Sequence, residues 1–205
     1  TSWGMTELSP LGTISPPNTP ASSGPRNAGR VPLGLDLKLV NEDGETLTRQ
    51  RNAVGRLRVK GASVAERYFN QPESALDAEG YLDTGDLAAI DEAGNLTITG
   101  RAKDLIKSGG EWINPTEIEA IIGCLPCVGL AAVVGRSDPK WGERPVLFVE
   151  PRKNRTIERP VVVEAMRGKV PDWWIPDQIV IVERMPLAAT GKIDKNRLRE
   201  YLPSQ

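Results

Sequence analysis

The 205-residue sequence has no histidine, only two cysteines and no long apolar run. Without histidine there is no Ser–His or Cys–His nucleophilic pair, and no zinc site built on imidazole. The cysteines form a single Cys124-Leu125-Pro126-Cys127 pair. A structural zinc needs about four ligands, and no second pair exists. A thioredoxin-like site is disfavoured because the pair follows a helical pattern rather than opening one. Two small buried thiols in a reducing cytosol are the expectation. No stretch approaches the ~20 apolar residues of a membrane-spanning helix, and no signal-peptide pattern opens the chain. Charge of one sign is also lacking. The 26 basic and 27 acidic residues leave a formal net charge of -1, so no global field invites nucleic acid or anionic lipid.

What remains is an ordinary globular balance, 39% hydrophobic and 26% charged, long enough for one large domain or two small ones. The chain opens on Thr1, directly in a motif-like stretch, which is expected of a piece of a longer protein. Residues 1–30 are rich in Ser, Thr, Pro and Gly, and Ser15 to Gly29 reads as a mobile loop. From Leu33 to about Gly100 the pattern is strand and turn. Leu35, Leu37 and Leu39 alternate with polar neighbours, Asn41-Glu42-Asp43-Gly44 supplies a hairpin turn, and Leu57 and Val59 alternate again. Leu87 to Ile90, Asp91-Glu92-Ala93-Gly94 and Leu96 to Thr99 make a second hairpin. This half predicts a small barrel or folded sheet.

After Arg101 helices and strands alternate. Asn114-Pro115-Thr116-Glu117 is a helix start, with an Asn cap, Pro at the first helical position and Glu at the third. The helix Pro115–Ile122 places Ile118, Ile121 and Ile122 on one face. Leu130–Val134, Val146–Val149 and Gln178–Val182 read as strands and Pro160–Val170 as a helix. Asp194 caps a last helix whose Leu198 and Leu202 face inward. The fold class is therefore α+β: a β-rich, barrel-like part over residues 1–102 and a compact α+β module over 103–205, meeting near Lys103.

Several segments hold more Gly, Thr, Asp and Lys than folding requires. In Trp3-Gly4-Met5-Thr6-Glu7, a glycine beside a hydroxyl and a carboxylate suits a phosphate with its divalent cation; a turn with a capping Thr is the alternative. In Tyr81-Leu82-Asp83-Thr84-Gly85-Asp86, read as lying just before a strand, the acids could accept both hydroxyls of a sugar diol, or form a tight Asx turn. Gly100-Arg101-Ala102-Lys103-Asp104 offers the Arg101 fork to phosphate or ribose oxygens, or is a solvated linker. In Lys107-Ser108-Gly109-Gly110-Glu111-Trp112 the paired glycines allow close approach of a ligand or another domain, or simply make a loop. Leu187-Ala188-Ala189-Thr190-Gly191-Lys192-Ile193-Asp194 puts a lysine after Thr-Gly on an exposed loop. It is not a Walker loop, since the upstream Gly is missing and Ile193 replaces Ser or Thr.

Taken in order, these segments resemble the adenylate-forming superfamily of acyl-CoA synthetases, luciferases and peptide-synthetase adenylation domains. Gly29-Arg30-Val31-Pro32, Gly61 to Tyr68 and Asp138 to Arg144 share the likeness. Trp3 to Pro10 and Trp173-Trp174-Ile175-Pro176-Asp177 look most like bacterial medium- and long-chain fatty-acid-CoA ligases, with methylthio-propionate-CoA ligases nearby. The resemblance implies a carboxylate attacking the α-phosphate of Mg·ATP, then coenzyme A displacing AMP. It implies that residues 1–102 end the large AMP-binding domain and 103–205 form its small mobile partner. Trp3 would flank the adenine within Trp3-Gly4-Met5, and Thr6 would contact phosphate. Glu7 would hold Mg²⁺, Asp86 and Arg101 the ribose, and Lys103 the hinge. Lys192 would be the adenylation lysine, and Lys107, Gly109, Gly110, Glu111 and Trp112 the coenzyme A path.

The implied partners are small molecules (a fatty acid, ATP and coenzyme A), the upstream part of the same cytoplasmic enzyme, and room for a homodimer. An aryl- or amino-acid ligase, or a non-catalytic homologue, are the competing readings. The family's phosphate loop and most of the acyl pocket are not in this sequence, so the chain alone is expected to be inactive, with apolar surface exposed in its β-rich half. Departures from the family are Gly55-Arg56-Leu57 for the usual Gly-Glu-Leu, Arg67 for the usual Gly before Tyr68, and Leu125-Pro126 for the usual His-Pro.

Overall fold

The computed structural model describes residues 2–15 and 27–202. The chain forms two compact units, Thr1–Lys103 and Asp104–Gln205. Most of the proline-rich stretch read as a loop, residues 16–26, lies outside the described residues. Its end, Asn27–Gly29, is a short strand rather than loop.

In the first unit, β1 (Ser2–Gly4) pairs antiparallel with β2 (Leu11–Ile14). The remaining strands are β3 (Asn27–Gly29), β4 (Leu35–Val40), β5 (Ala53–Gly61), β6 (Leu82–Ile90) and β7 (Leu96–Arg101). They form one antiparallel sheet in the order β3-β7-β6-β5-β4. The turn at Asp91–Gly94 is where the sequence puts it, with the Gly94 N–H donating to the Asp91 carbonyl. One face of the sheet packs Leu39, Leu57, Val59, Leu82, Ala88 and Leu96 with Leu8 into a core. Leu33 and Phe69 are almost fully exposed, in line with apolar surface in this half.

Residues 62–81 link β5 to β6 without a helix or strand. A connection that long needs tying down. Arg58 pairs with Asp77 at 2.8 Å, and buried Lys38 pairs with Glu79 at 3.1 Å while lying 4.0 Å over the Tyr81 ring. The Tyr81 hydroxyl donates to Asp36. The Ala65 N–H reaches the Glu7 carbonyl at 2.8 Å. This lashing carries Tyr68 to the strand-poor segment around Glu7.

The second unit opens with a hairpin, β8 (Ile106–Ser108) and β9 (Glu111–Ile113), followed by α1 (Pro115–Gly123). Long strands β10 (Val128–Asp138) and β11 (Gly142–Pro151) pair antiparallel, then come α2 (Arg159–Met166), β12 (Gln178–Ile181) and α3 (Lys195–Glu200). β12 adds parallel to β11, and β8 meets β11 at Ser108–Gly142. Val146, Leu147, Phe148 and Val149 are all buried, because both faces of β11 are covered. Leu147 and Val149 pack towards Ile118, Ile122, Val162 and Met166; Val146 and Phe148 pack towards Met185 and Leu198.

β10 and β11 run further than the apolar cores read from sequence, because their polar ends still pair. The second helix ends at Met166 rather than Val170: Arg167 leaves helical geometry and Gly168 turns with φ +67°. Cys124 is exposed and only Cys127 packs partly against the core, which corrects the expectation of two buried thiols. Among the described residues no helix is long and apolar enough to cross a membrane.

The Tyr81–Asp36 bond generates a pH prediction. A phenol donating to a carboxylate loses that bond and meets a second negative charge on ionising, so Tyr81 is pushed up to about 12. Its folded value lies above the ~10 of an unfolded tyrosine. The stabilisation is therefore full below about pH 10 and lost as pH rises through about 12. In a phenolate-absorbance titration, two of the three tyrosines, Tyr68 and Tyr81, should ionise late, and the component near pH 12 belongs to Tyr81. Asp36→Asn should return that component towards the ordinary range, and finding it unchanged would contradict the assignment.

Candidate functional site

Asp86 sits in β6, on the face its alternation turns inward along with Leu82, Thr84 and Ala88. The segment read as preceding a strand is thus inside one. Pairing with β5 skips from Arg56–Leu87 to Arg58–Asp83, so Thr84-Gly85-Asp86 bulges out of the ladder. Thr84 fixes the bulge: its hydroxyl donates to the Leu57 carbonyl at 2.8 Å and accepts the Asp86 N–H at 3.1 Å.

The Asp86 carboxylate is 6% exposed and needs donors. Arg101 lies directly across on β7, and its Nε is 3.2 Å from Oδ1. The Trp3 indole N–H donates to Oδ2 at 2.9 Å. Each carboxylate oxygen has two lone pairs, so each keeps one free. Trp3 is held by its own pairing: its backbone N–H donates to the Thr13 hydroxyl, which donates to the Ala28 carbonyl. A Cβ on Gly12 would stand 2.4 Å from the Trp3 ring, so only glycine lets the indole lie there. Gly4 is likewise accounted for by its own chain, since a Cβ there would meet the Pro10 carbonyl oxygen at 2.1 Å. The structure therefore brings Trp3, Asp86 and Arg101 together.

Thr6 and Glu7 lie in a one-turn 3-10 helix, Thr6–Leu8, pinned by buried Leu8. Thr6 is exposed. Glu7 Oε1 accepts from the Tyr68 hydroxyl at 2.9 Å, a bond that holds the phenol above its ordinary value. Oε2 has no partner among the described residues. No group of three or more acidic, Cys or His side chains converges among the described residues. A Mg²⁺ at Glu7 would draw most of its ligands from phosphate and water, which is how that ion is usually held.

Arg56, the reversed charge, is answered by Asp83 at 2.6 Å. Lys103, at the end of the first unit, is exposed.

In the second unit Gly109 and Gly110, with φ +62° and +91°, make the tight turn between β8 and β9. The Gly109 N–H donates to the Trp141 carbonyl at 2.8 Å. Lys107 Nζ lies 5.2 Å over the Trp112 ring, and Glu111 is exposed. Ser108, Gly109, Glu111, Trp141, Arg144, Trp173 and Asp177 line a cleft of about 400 Å³.

Lys192 is exposed in a turn closed by the Ala188 N–H donating to the Lys192 carbonyl at 2.8 Å. Its ammonium has no anionic partner among the described residues. The nearest acid in sequence, Asp194, instead caps α3 by accepting the Asn196 and Arg197 N–H groups. Lys195 is taken by Glu119 at 2.8 Å, and Arg199 lies 3.9 Å from Asp104.

Sequence reasoning missed Tyr68 and the Arg144–Asp177 pair as site residues. A basic residue inside an apolar strand, as Arg144 is before Val146, was the available signal.

Comparison with known proteins supplies context for this geometry. Residues 117–192 match the AMP-binding enzyme C-terminal domain. The chain is 41% identical to 3-methylmercaptopropionyl-CoA ligase of Ruegeria pomeroyi, over 97% of this chain and 38% of that protein. It is also 41% identical to the medium-chain-fatty-acid–CoA ligase of Ectopseudomonas oleovorans, again over 97% of this chain and 38% of that protein. The crystal structure of ATP-bound MatB from Rhodopseudomonas palustris superposes with a TM-score of 0.86 at 33% identity, covering 96% of this chain and 39% of that one. The chain thus spans well under half the length of the relatives it matches.

The two partners of Asp86 differ in burial. Trp3→Phe removes a donor from a buried carboxylate and should cost about 1.5–3 kcal/mol. Arg101 is half exposed, so Arg101→Gln should cost only about 0.2–1 kcal/mol. Urea unfolding of the first unit measures both, and the reverse order would show that the indole is not the principal support.

Proposed function

The chain belongs to the adenylate-forming superfamily, whose C-terminal part it carries, and on that premise we propose that it serves the ATP-dependent ligation of a medium- or long-chain fatty acid to coenzyme A. The observation that carries this reading is the buried Asp86 carboxylate, set between Trp3 and Arg101 with one lone pair free on each oxygen. Such a group accepts two adjacent hydroxyls, as a ribose diol offers them. Trp3 then serves twice, its N–H fixing Asp86 and its ring flanking the adenine. Arg101, half exposed, extends to the same ribose. Gly4 and Met5 shape this segment, and Thr6 donates to a phosphate oxygen.

In the first step a carboxylate oxygen bonds to the α-phosphorus of ATP and the bond to pyrophosphate breaks. Lys192 neutralises the charge gathering between the two anions; such preorganised cations are worth on the order of a few kcal/mol. Its freedom from any described acid suits this task. When bound through Glu7, Mg²⁺ supplies charge neutralisation at the phosphates, and Tyr68 orients the Glu7 carboxylate.

In the second step the coenzyme A sulfur bonds to the acyl carbon and the bond to AMP breaks. Lys107, Gly109, Gly110, Glu111 and Trp112 line the path of that cofactor. Lys192 and this path lie in the same unit, so a turn of the unit about Lys103 exchanges one for the other. The upstream part of a longer enzyme supplies the phosphate loop and acyl pocket. Free cysteines fit a reducing cytosol.

The 205-residue chain given ATP and a fatty acid should release no pyrophosphate; robust turnover by it alone would overturn the dependence on upstream sequence. Joined to an upstream AMP-binding segment, it should form acyl-AMP. Lys192→Ala should then slow pyrophosphate release about 10²–10³-fold, while thioester formation from supplied acyl-AMP survives. Equal loss in both steps would remove Lys192 from the proposed role.

A further inference from the structure

Arg144 is the least expected side chain of the second unit. It sits on β11 just before the fully apolar Val146–Val149 run and is 9% exposed. It lines the cleft with Trp141 and Trp173, where a cation would normally be read as an anion binder.

Its hydrogen bonds exclude that role. A guanidinium has five N–H donors. Nε donates to Asp177 Oδ2 at 2.7 Å. Nη2 donates to Asp177 Oδ1 at 2.9 Å and the Ile175 carbonyl at 3.4 Å. Nη1 donates to the Trp173 carbonyl at 2.8 Å and the Ser108 hydroxyl at 3.3 Å. Every donor is taken, and Asp177 answers the charge. The pairing holds the Asp177 carboxyl below the usual carboxylate range and raises Arg144.

The partners come from separate stretches. Ser108 ends β8, beside the Gly109–Gly110 turn, while Trp173, Ile175 and Asp177 belong to the segment between α2 and β12. The two walls of the cleft are secured differently. Trp141 is tied to the turn directly, through the Gly109 N–H. The Trp173 wall is tied to β11 and β8 through the Arg144 fork. Arg159 also donates to the Asp177 carbonyl at 2.6 Å, but it anchors the far end of the segment.

We infer that Arg144 is a positioning residue for thioester formation: its guanidinium staples the Trp173–Asp177 segment to the Ser108–Gly109 edge and so sets the width of the cleft beside the coenzyme A path. This inference rests on the proposed reading of residues 107–112. Lysine cannot replace Arg144, because one ammonium cannot grip a carboxylate on both oxygens and reach two carbonyls and a hydroxyl.

The test uses Arg144→Lys and the volume-conserving Asp177→Asn in the whole chain, with coenzyme A binding followed by tryptophan fluorescence and amide hydrogen exchange mapped along the chain. Both variants should weaken coenzyme A binding about tenfold or more. Amides of residues 172–177 should exchange at least about tenfold faster, with those of β10 and β11 unchanged and AMP affinity intact. Unchanged affinity with unchanged exchange would overturn the inference. Lost affinity with unchanged exchange would overturn it too, by making Arg144 a direct ligand contact. A wild-type chain that binds no coenzyme A would instead sink the coenzyme A path, and with it the role of Arg144 in thioester formation, while the exchange pattern still decides the staple.

Discussion

A carboxylate withdrawn from water must be met by donors or give up its charge. Asp86 imposes that requirement on the first unit. Its inward position follows from strand alternation, and its bulge follows from the Thr84 hydroxyl capturing the Leu57 carbonyl. Once Asp86 is buried, its oxygens need donors, which Arg101 supplies from across the strand pair and the Trp3 indole N–H from the other side. The Trp3 ring then requires a bare Gly12 beneath it. Residues nearly a hundred apart are thereby bound to one carboxylate, and the unused lone pair left on each oxygen is what a diol would use.

The second unit solves a related problem with the opposite charge. β11 is apolar on both faces from Val146 through Val149, and Arg144, two residues before that run, is buried with it. Arg144 is tolerated there because all its donors are taken. Burying an ion pair does little for stability by itself; its value is in fixing which segments meet. Glycine and tryptophan fix one wall of the cleft through the backbone, and the guanidinium fixes the other.

Much of the fold was legible because it rests on local rules. The Asp91–Gly94 turn, the Asn114 cap, which accepts the Thr116 N–H, and the Asp194 cap are each set by neighbours a few residues apart. The apolar face of α1 follows from its spacing, with Ile118 and Ile122 fully buried. The Thr84-Gly85-Asp86 bulge was not legible, since it depends on a hydroxyl finding a carbonyl on another strand. Neither was the Tyr68–Glu7 bond, which needs residues 62–81 lashed down by Lys38, Arg58 and Tyr81. Arg144 and Asp177 look like surface charges until the sheet buries one of them. The residue types of the candidate site could be read from sequence, but their supporting partners could not.

The cations of the last segment show how a free charge is maintained in a crowded one. A lysine meant to meet an anion loses effect if a neighbouring acid already neutralises it, and exposed pairs form readily at short range. Asp194 is two residues from Lys192, close enough to compete. Its oxygen is instead held by two backbone N–H groups at the start of α3, where the helix dipole also favours a negative charge. Glu119 is occupied by Lys195 and by the Val133 N–H, and Asp104 lies beside Lys195 and Arg199. The cap that starts the final helix thus commits one Asp194 oxygen to the backbone, and no acid among the described residues pairs with the Lys192 ammonium.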